Sequence, residues 1–202
     1  MTNLATSSTP SRVQDTPLQR FGATLRQYRQ QQGLSHRALA ARTGIRSSYI
    51  SQIELGKRNI AVLTLVRLAR ALHIPAAWLV TPLDTRAPLP LPLASDPLYS
   101  RGSRDRGVTP AERSSSQQGD ATTLLRLLGA TLRRYRQQLG LTHKALAAKT
   151  GLDKSYIVEI ERGERNLSVL SVVCIADALG LSVSQLLASL DILQSPSPPL
   201  PE

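Results

Sequence analysis

The sequence is poor in aromatic residues and in cysteine, and each shortage excludes a class of protein. Phe, Trp and Tyr make up only 3% of the 202 residues, so a core has to be built mainly from Leu, Ile, Val and Ala, which suits small helical bundles. Because Cys174 is the single cysteine, no internal disulfide can form. A disulfide-stapled secreted scaffold is therefore excluded.

The sequence also lacks long apolar runs. A membrane-spanning helix needs about 20 consecutive apolar residues, and no run of that length is present. The first residues, MTNLATSSTPSRVQDTP, do not contain the apolar stretch of a secretion signal. We therefore expect a cytoplasmic protein that does not span a membrane.

Residues that could perform catalysis or hold a metal are few and scattered. The histidines at 36, 73 and 143 do not show the spacing of a metal site. Cys174 lies in the apolar segment VLSVVCIADAL, where a packed side chain is favoured over a redox sensor. No phosphate-binding glycine loop or nucleophile motif occurs. The sequence thus predicts no enzyme, no metal site and no cofactor.

Positive charge is present in large excess. The formal net charge is +11 and the isoelectric point is near 10.8. Such an imbalance indicates nucleic acid or an anionic membrane surface as the partner, although it does not determine the fold.

The chain is an internal duplication. Residues 21–80 align without a gap on residues 128–187, and 33 of the 60 positions are identical. The offset between equivalent residues is 107, which is far too long for a solenoid repeat. Each half therefore contains one copy of the same domain.

Composition and charge separate the two repeats from the rest of the chain. We predict a first domain at 18–81, a flexible Pro/Ser-rich linker at 82–122 and a second domain at 123–190. The segments 1–17 and 191–202 are predicted to be a disordered arm and a Pro-rich tail. The first domain has 10 Lys/Arg and 1 Asp/Glu, a net +9, whereas the second has 9 and 5, a net +4. The basic charge is thus concentrated on the first repeat.

Apolar periodicity predicts five helices in each repeat, and hence an all-α protein. Thr16-Pro17 is typical of a helix start, and Gly33, Gly44 and Gly56 stand where helices end. The fifth helix of the first repeat is expected near 75–80, with Trp78 packing back onto the domain.

The second and third helices carry a specific pattern. Counting from His36, Ala40 is the small residue of position five and Gly44 the turn glycine of position nine, and aliphatic residues follow at positions ten, fifteen and eighteen. This pattern, together with the segments GLS, SYI and GKRN, resembles the lambda-repressor-like (XRE/Cro-type) helix-turn-helix family. The resemblance covers about 60 residues in each half and implies two tandem domains of a DNA-binding transcriptional regulator.

The resemblance also implies the DNA contacts. In this family the third helix enters the major groove, so its exposed residues would contact base edges and the residues around it would contact phosphates. Gln52 is the best candidate for adenine, and Arg46 for guanine or phosphate. The predicted DNA-contacting residues of repeat 1 are His36, Arg46, Ser47, Ser48, Ser51, Gln52, Lys57, Arg58 and Asn59, and those of repeat 2 are Lys154, Ser155, Glu159, Arg165 and Asn166.

Repeat 2 departs from this pattern. Glu159 and Glu164 stand where repeat 1 has Gln52 and Lys57, and a carboxylate facing DNA is repelled by phosphates unless it accepts from cytosine N4. Asp153 is expected to be a helix N-cap. Repeat 2 is therefore predicted to bind DNA more weakly or to recognise a different half-site.

Several further expectations follow from the resemblance. Two buried ion pairs, Arg29 with Glu54 and Arg136 with Glu161, would join the first and third helix of each repeat. His36 stands where the family commonly has a phosphate-binding Gln, and a surface imidazole without a role is the equal alternative. Trp78 matches a position used for core packing and dimer contact.

The favoured function is a sequence-specific repressor that binds double-stranded DNA at the nucleoid, with repeat 1 dominant. It would act as a homodimer or as an intramolecular pseudo-dimer. The alternative is a protein-interaction adaptor in which repeat 2 has become a docking or dimerisation module.

Overall fold

The computed structural model describes residues 16–84 and 115–191. Repeat 1 contains five α-helices and ends in a single 3₁₀ turn at Thr81–Leu83. The helices are α1 Pro17–Gln31, α2 His36–Thr43, α3 Ser47–Glu54, α4 Val62–Ala71 and α5 Ala76–Val80.

Repeat 2 contains five further α-helices, so the predicted all-α architecture of two tandem five-helix domains is confirmed for the described residues. The helices are α6 Ser115–Gln138, α7 His143–Thr150, α8 Lys154–Glu161, α9 Val169–Leu179 and α10 Val183–Asp191.

The bounds of the linker differ from the prediction at both ends. Helix α6 begins at Ser115, inside the segment 82–122, and Leu83 at the other end is buried. Sequence alone gave no sign of this because the start of α6 is polar and has no apolar periodicity. The rest of the predicted linker, 85–114, lies outside the described residues, as do almost all of the predicted arm and tail.

Caps and turn glycines set the helix ends. Thr16 accepts from the backbone N–H of Gln19, and the Gln19 side chain accepts from the backbone N–H of Thr16, which forms a capping box at α1. Gly44 and Gly151 end α2 and α7 with φ of 68° and 67°, a left-handed conformation that only glycine adopts without cost. These glycines make the tight turn between the second and third helices.

A second glycine in each repeat lets two helices meet. A Cβ on Gly22 would lie 2.4 Å from the carbonyl oxygen of Ile53, and a Cβ on Gly129 would lie 2.4 Å from that of Ile160. Helix α1 therefore packs directly against the end of α3, and α6 against the end of α8. This contact fixes the third helix on the domain, with its apolar side buried and its other side toward solvent.

The two repeats dock on each other around equivalent residues. The backbone N–H of Val62 donates to the carbonyl of Leu167 and that of Val169 donates to the carbonyl of Ile60, both at 2.8 Å. Because Val169 and Leu167 are the repeat equivalents of Val62 and Ile60, the contact is isologous, like the interface of a twofold-symmetric dimer. The fold is thus a dimer-like arrangement within one chain.

The fifth helices extend this contact. Helix α5 packs on its equivalent, α10, and both are rich in buried apolar residues. Asp84 accepts from the backbone N–H of Ser184 at 3.1 Å and from its hydroxyl at 2.6 Å, which ties the end of repeat 1 to the first turn of α10.

Trp78 does not pack into the core as expected. It is 53% exposed and stacks on Tyr28, with ring centroids 6.5 Å apart. Leu79, its neighbour on α5, takes the buried position.

Among the described helices, no single one is long and apolar enough to cross a membrane, and two helix pairs reach that length and composition only across a bend of 115°.

Candidate nucleic-acid interface

Helix α3 presents a polar side to solvent next to the Gly44 turn. Ile50 and Ile53 are buried and anchor the helix to the domain. Of the residues predicted to contact DNA, Arg46, Ser48, Lys57 and Arg58 are exposed, and Ser47, Ser51 and Gln52 are half-buried. The helix N-cap, Arg46, makes no side-chain capping bond, so its guanidinium is not used to hold the helix start.

Two of these residues act as a pair. The guanidinium Nε of Arg58 donates to the side-chain oxygen of Gln52 at 2.6 Å. This bond fixes the orientation of the Gln52 amide, which leaves its NH₂ group as a donor. Arg58 was predicted to contact phosphate, and in the structure it also orients Gln52, the residue predicted to contact adenine.

The equivalent pair in repeat 2 is an ion pair. Arg165 donates to the carboxylate of Glu159, and both side chains are about one-third exposed. The negative charge of Glu159 is therefore partly offset before any DNA arrives. Arg165, in turn, has less freedom to hold a phosphate.

The start of α8 is closed by its own cap. Asp153 accepts from the backbone N–H of Ser155 at 2.7 Å and from its hydroxyl at 2.5 Å. Both bonds lower the pKa of Asp153, and the bond from the Ser155 hydroxyl has the larger effect. Asp153 therefore remains a carboxylate. The predicted capping role of Asp153 is confirmed, and the Ser155 hydroxyl predicted for DNA is used within the helix end. Lys154, beside them, is exposed.

An ion pair holds α3 against α1. Arg29 donates to the two carboxylate oxygens of Glu54 at 2.6 and 2.8 Å, and its remaining nitrogen donates to the carbonyl of Leu34. Burial by itself would raise the pKa of Glu54, but the bonds from Arg29 and His36 outweigh it and hold that pKa below its usual value. Arg136 and Glu161 repeat this geometry between α6 and α8.

The first residue of α2 contacts the ion pair. The Nε2 atom of His36 lies 3.0 Å from Glu54, on the carboxylate that Arg29 already holds, and His143 has the same contact with Glu161. The structure therefore places His36 in the ion-pair cluster that connects α2 with α3.

The asparagines after the third helices connect the two repeats. The side-chain oxygen of Asn59 accepts from the backbone N–H of Leu170, and that of Asn166 accepts from Leu63, both at 3.3 Å. Both asparagines are half-buried between the repeats. The amide oxygens of Asn59 and Asn166 thus form a reciprocal pair of bonds across the interface, and the phosphate contact of these residues stays a prediction.

Two cations beside the histidines were not among the residues predicted to contact DNA. Arg37 and Lys144 are exposed in the first turns of α2 and α7. The signal that could have found them is simple: the position after His36 and His143 is basic in both repeats.

The third-helix surfaces of the two repeats differ in charge. Between 46 and 59 the ionisable residues outside the Glu54 ion pair are Arg46, Lys57 and Arg58, which sum to +3. Between 153 and 166, outside the Glu161 ion pair, three basic and three acidic residues sum to zero. The asymmetry of the whole domains is thus sharpest at the third helices.

Comparison with known proteins agrees with this architecture. The helix-turn-helix family model matches residues 25–79 and again 132–186, together more than half of the chain. An uncharacterized helix-turn-helix transcriptional regulator, y4dJ of Sinorhizobium fredii, is 40% identical over 63 residues, which is 31% of this chain and 82% of the relative. The control protein C.SmaI of Serratia marcescens is 38% identical over 61 residues, 30% of this chain and 73% of the relative.

A solved structure gives a similar match. The restriction-modification controller protein C.AhdI of Aeromonas hydrophila is 39% identical, with 31% of this chain and 94% of that protein covered and a TM-score of 0.30. Each of these matches spans about one repeat. The chain belongs to the lambda-repressor-like (XRE/Cro-type) helix-turn-helix family of DNA-binding transcriptional regulators and carries the family's domain twice.

Proposed function

We propose that the chain is a sequence-specific transcriptional repressor that binds double-stranded DNA as a single-chain pseudo-dimer. The observation that carries this proposal is the isologous docking of the repeats through Val62, Val169 and the two asparagines. A twofold-related pair of recognition helices is how helix-turn-helix dimers bind two half-sites about 34–36 Å apart. One chain would then occupy a whole operator in the cytoplasm, at the nucleoid.

Repeat 1 provides most of the affinity in this proposal. When Lys and Arg neutralise phosphates, counterions are released from the DNA. Affinity for DNA therefore increases with the number of cations at the interface. The third helix of repeat 1 and the loop after it have a net charge of +3, whereas the equivalent segment of repeat 2 has a net charge of zero. Arg37 at the start of α2 would hold a phosphate in place of His36, which is engaged with Glu54.

Recognition of bases would differ between the repeats. Gln52, oriented by Arg58, would bind adenine through its amide, and Arg46 would bind guanine or a phosphate. Glu159 would accept from cytosine N4, with Arg165 limiting its repulsion from the phosphates. The operator is therefore expected to consist of two unlike half-sites.

Repression follows from occupancy. A protein whose two repeats cover an operator near a promoter blocks RNA polymerase there without any further contact. Activation, in contrast, would require a surface for the polymerase.

Selection of bound sequences from random duplexes tests this function. The whole chain is compared with Gln52→Ala, which alters the proposed base contact of repeat 1, and with Glu159→Ala, its matched variant in repeat 2. Two half-sites, each changed by one of the variants, would support the pseudo-dimer. Selection of a perfect palindrome, or of no motif at all, would contradict it.

One observation favours the adaptor alternative. The third-helix surface of repeat 2 is neutral, and Val158 stands where repeat 1 has Ser51. Such a surface is less suited to DNA than to another protein. In that case, only repeat 1 would leave a motif in the selection, and Glu159→Ala would change nothing.

A further inference from the structure

A cavity of about 420 Å³ opens between α2, α4 and the first turns of α6. Both repeats line it, because Asp120, Ala121 and Leu124 lie on α6 of repeat 2 and the remaining walls belong to repeat 1. Its volume falls in the range of small-molecule sites, roughly 300–1,000 Å³.

Arginines dominate the polar part of the cavity. Arg42, Arg67 and Arg70 line it together with one carboxylate, Asp120, so the ionisable groups sum to +2. Arg42 donates one bond to the carbonyl of Ala71 at 3.2 Å, and Arg70 lies 3.8 Å from Asp120, whose side chain is 68% exposed. Within the described residues, Arg67 makes no hydrogen bond or ion pair. Most of the guanidinium donors thus remain available to a ligand.

The rest of the lining is apolar. Val66 and Leu124 are nearly fully buried and form part of the wall, together with Leu63. An inorganic ion would leave this part of the cavity unused. A ligand that fits has two negative charges and a short apolar body.

The charge of this cavity is specific to repeat 1. The equivalents of Arg42, Arg67 and Arg70 in repeat 2 are Lys149, Cys174 and Asp177, which sum to zero. Two of the three arginines therefore have no basic counterpart, although the duplicated domains share more than half of their residues. A general need for basic charge on each domain does not explain the cluster.

We propose that this cavity binds a small organic dianion, a dicarboxylate or a phosphate monoester, through the three arginines, and that the ligand acts as an effector. Arginine binds both groups through paired N–H donors. Since the cavity is lined by both repeats, a ligand in it favours the docked arrangement. Gly44, in the turn before the recognition helix, also lines the cavity.

Coupling to DNA follows from these contacts and rests on the proposed function. A ligand that favours the docked arrangement raises operator affinity, and by linkage the operator raises ligand affinity by the same factor. Binding of the anion itself does not depend on DNA, so failure of the effector role and failure of the proposed function can be distinguished.

Calorimetric titration of the full chain without DNA tests the site. Adipate and phenyl phosphate are the two dianionic probes, which distinguish a carboxylate from a phosphate, and inorganic phosphate is the probe without an apolar body. We expect saturable binding of one molecule per chain for at least one dianionic probe, tighter than for inorganic phosphate. Arg67→Ala should weaken binding about tenfold or more, whereas Lys149→Ala, at the equivalent surface of repeat 2, should not change it.

Asp120→Asn provides a second variant that does not depend on removing an arginine. Because Asp120 is the one carboxylate in the cavity, its neutralisation should tighten binding of the dianion. Circular dichroism checks that each variant folds. The proposal is overturned if neither dianionic probe binds saturably, or if Arg67→Ala and Lys149→Ala have equal effects. An unchanged operator affinity with the probe at saturation would overturn the effector role.

Discussion

The side-chain oxygen of Asn59 accepts a hydrogen bond from the backbone N–H of Leu170, 3.3 Å away in the other repeat. The side-chain oxygen of its repeat equivalent, Asn166, likewise accepts from the backbone N–H of Leu63. A residue that follows the third helix of one repeat thus joins the two repeats to each other. In this position it couples the spacing of the two third helices to the contact between the repeats.

Replacing both asparagines with alanine should loosen this contact. Each change leaves a backbone N–H without its acceptor, at a cost of about 1–3 kcal/mol, so the affinity for a complete operator should fall. Binding to a duplex with a single half-site should be unaffected, because the third helices themselves are unchanged. Anisotropy titrations on the two duplexes provide the comparison, with Asn59→Asp as the control that keeps an acceptor oxygen. If the affinity for both duplexes falls equally, Asn59 contacts a phosphate and does not act through the contact between the repeats.

Local sequence patterns were enough to predict each repeat but not the relation between the repeats. The helix count and the turn at Gly44 depend on nearest neighbours along the chain, and the structure agrees with both. Asn59 and His36 find partners in sequence-distant elements, and nothing near them in the sequence indicates those partners. Asn59 was predicted to contact phosphate, and His36 either to contact phosphate or to have no role, because a polar side chain does not reveal by its type whether it turns outward or across an interface.

A base-contacting residue and a phosphate-contacting residue should respond differently to truncation. Gln52→Ala should relax the preference at one base pair by about 1–3 kcal/mol, whereas Lys57→Ala should weaken all sequences alike and reduce the salt slope by about one. Arg58→Ala should resemble Gln52→Ala in part, because Arg58 orients the Gln52 amide. Operator and random duplexes titrated at several salt concentrations check all three variants. If Gln52→Ala weakens both duplexes equally, helix α3 is not the recognition helix.

Repeat 2 should gain affinity when its charge is made like that of repeat 1. Glu164→Lys restores the residue found at Lys57, adds a cation beside the recognition helix and should steepen the salt slope by about one. Asp177→Lys is the matched control, because it makes the same change of charge at an exposed position on α9. Equal gains for the two variants would show that only net charge matters and that α8 does not face DNA.

The ion-pair clusters should make the fold sensitive to acid. The pKa of Glu54 and that of Glu161 are held below the ordinary value of 4.5 in the folded state, so the unfolded chain binds more protons at low pH. The stabilisation is present above pH 4.5 and is lost as the pH falls through the lowered values. Glu54→Gln should lower the free energy of unfolding by about 3–5 kcal/mol at neutral pH, since Arg29 loses its partner charge. The free energy of unfolding of this variant should also fall less as the pH is lowered. Urea unfolding at several pH values measures this, with the exposed Glu164→Gln as a variant expected to change little.

The covalent connection of the two repeats should contribute most to operator affinity at low protein concentration. The two repeats are joined covalently through the 30 residues between Asp84 and Ser115. Such a tether holds the second head at an effective concentration on the order of mM, so a weak repeat 2 still contributes to avidity.

A protease site inserted between 85 and 114 allows the tether to be cut in the folded protein. Before cleavage, operator affinity should not depend on chain concentration, because one chain supplies both heads. After cleavage, at concentrations where size-exclusion chromatography shows the halves separated, affinity should fall by about 10²-fold or more and should recover as the concentration of the halves is raised. The uncut chain with the same insertion is the control. An affinity that survives cleavage of separated halves would mean that a single repeat accounts for all DNA binding, and the adaptor function of repeat 2 would then be favoured.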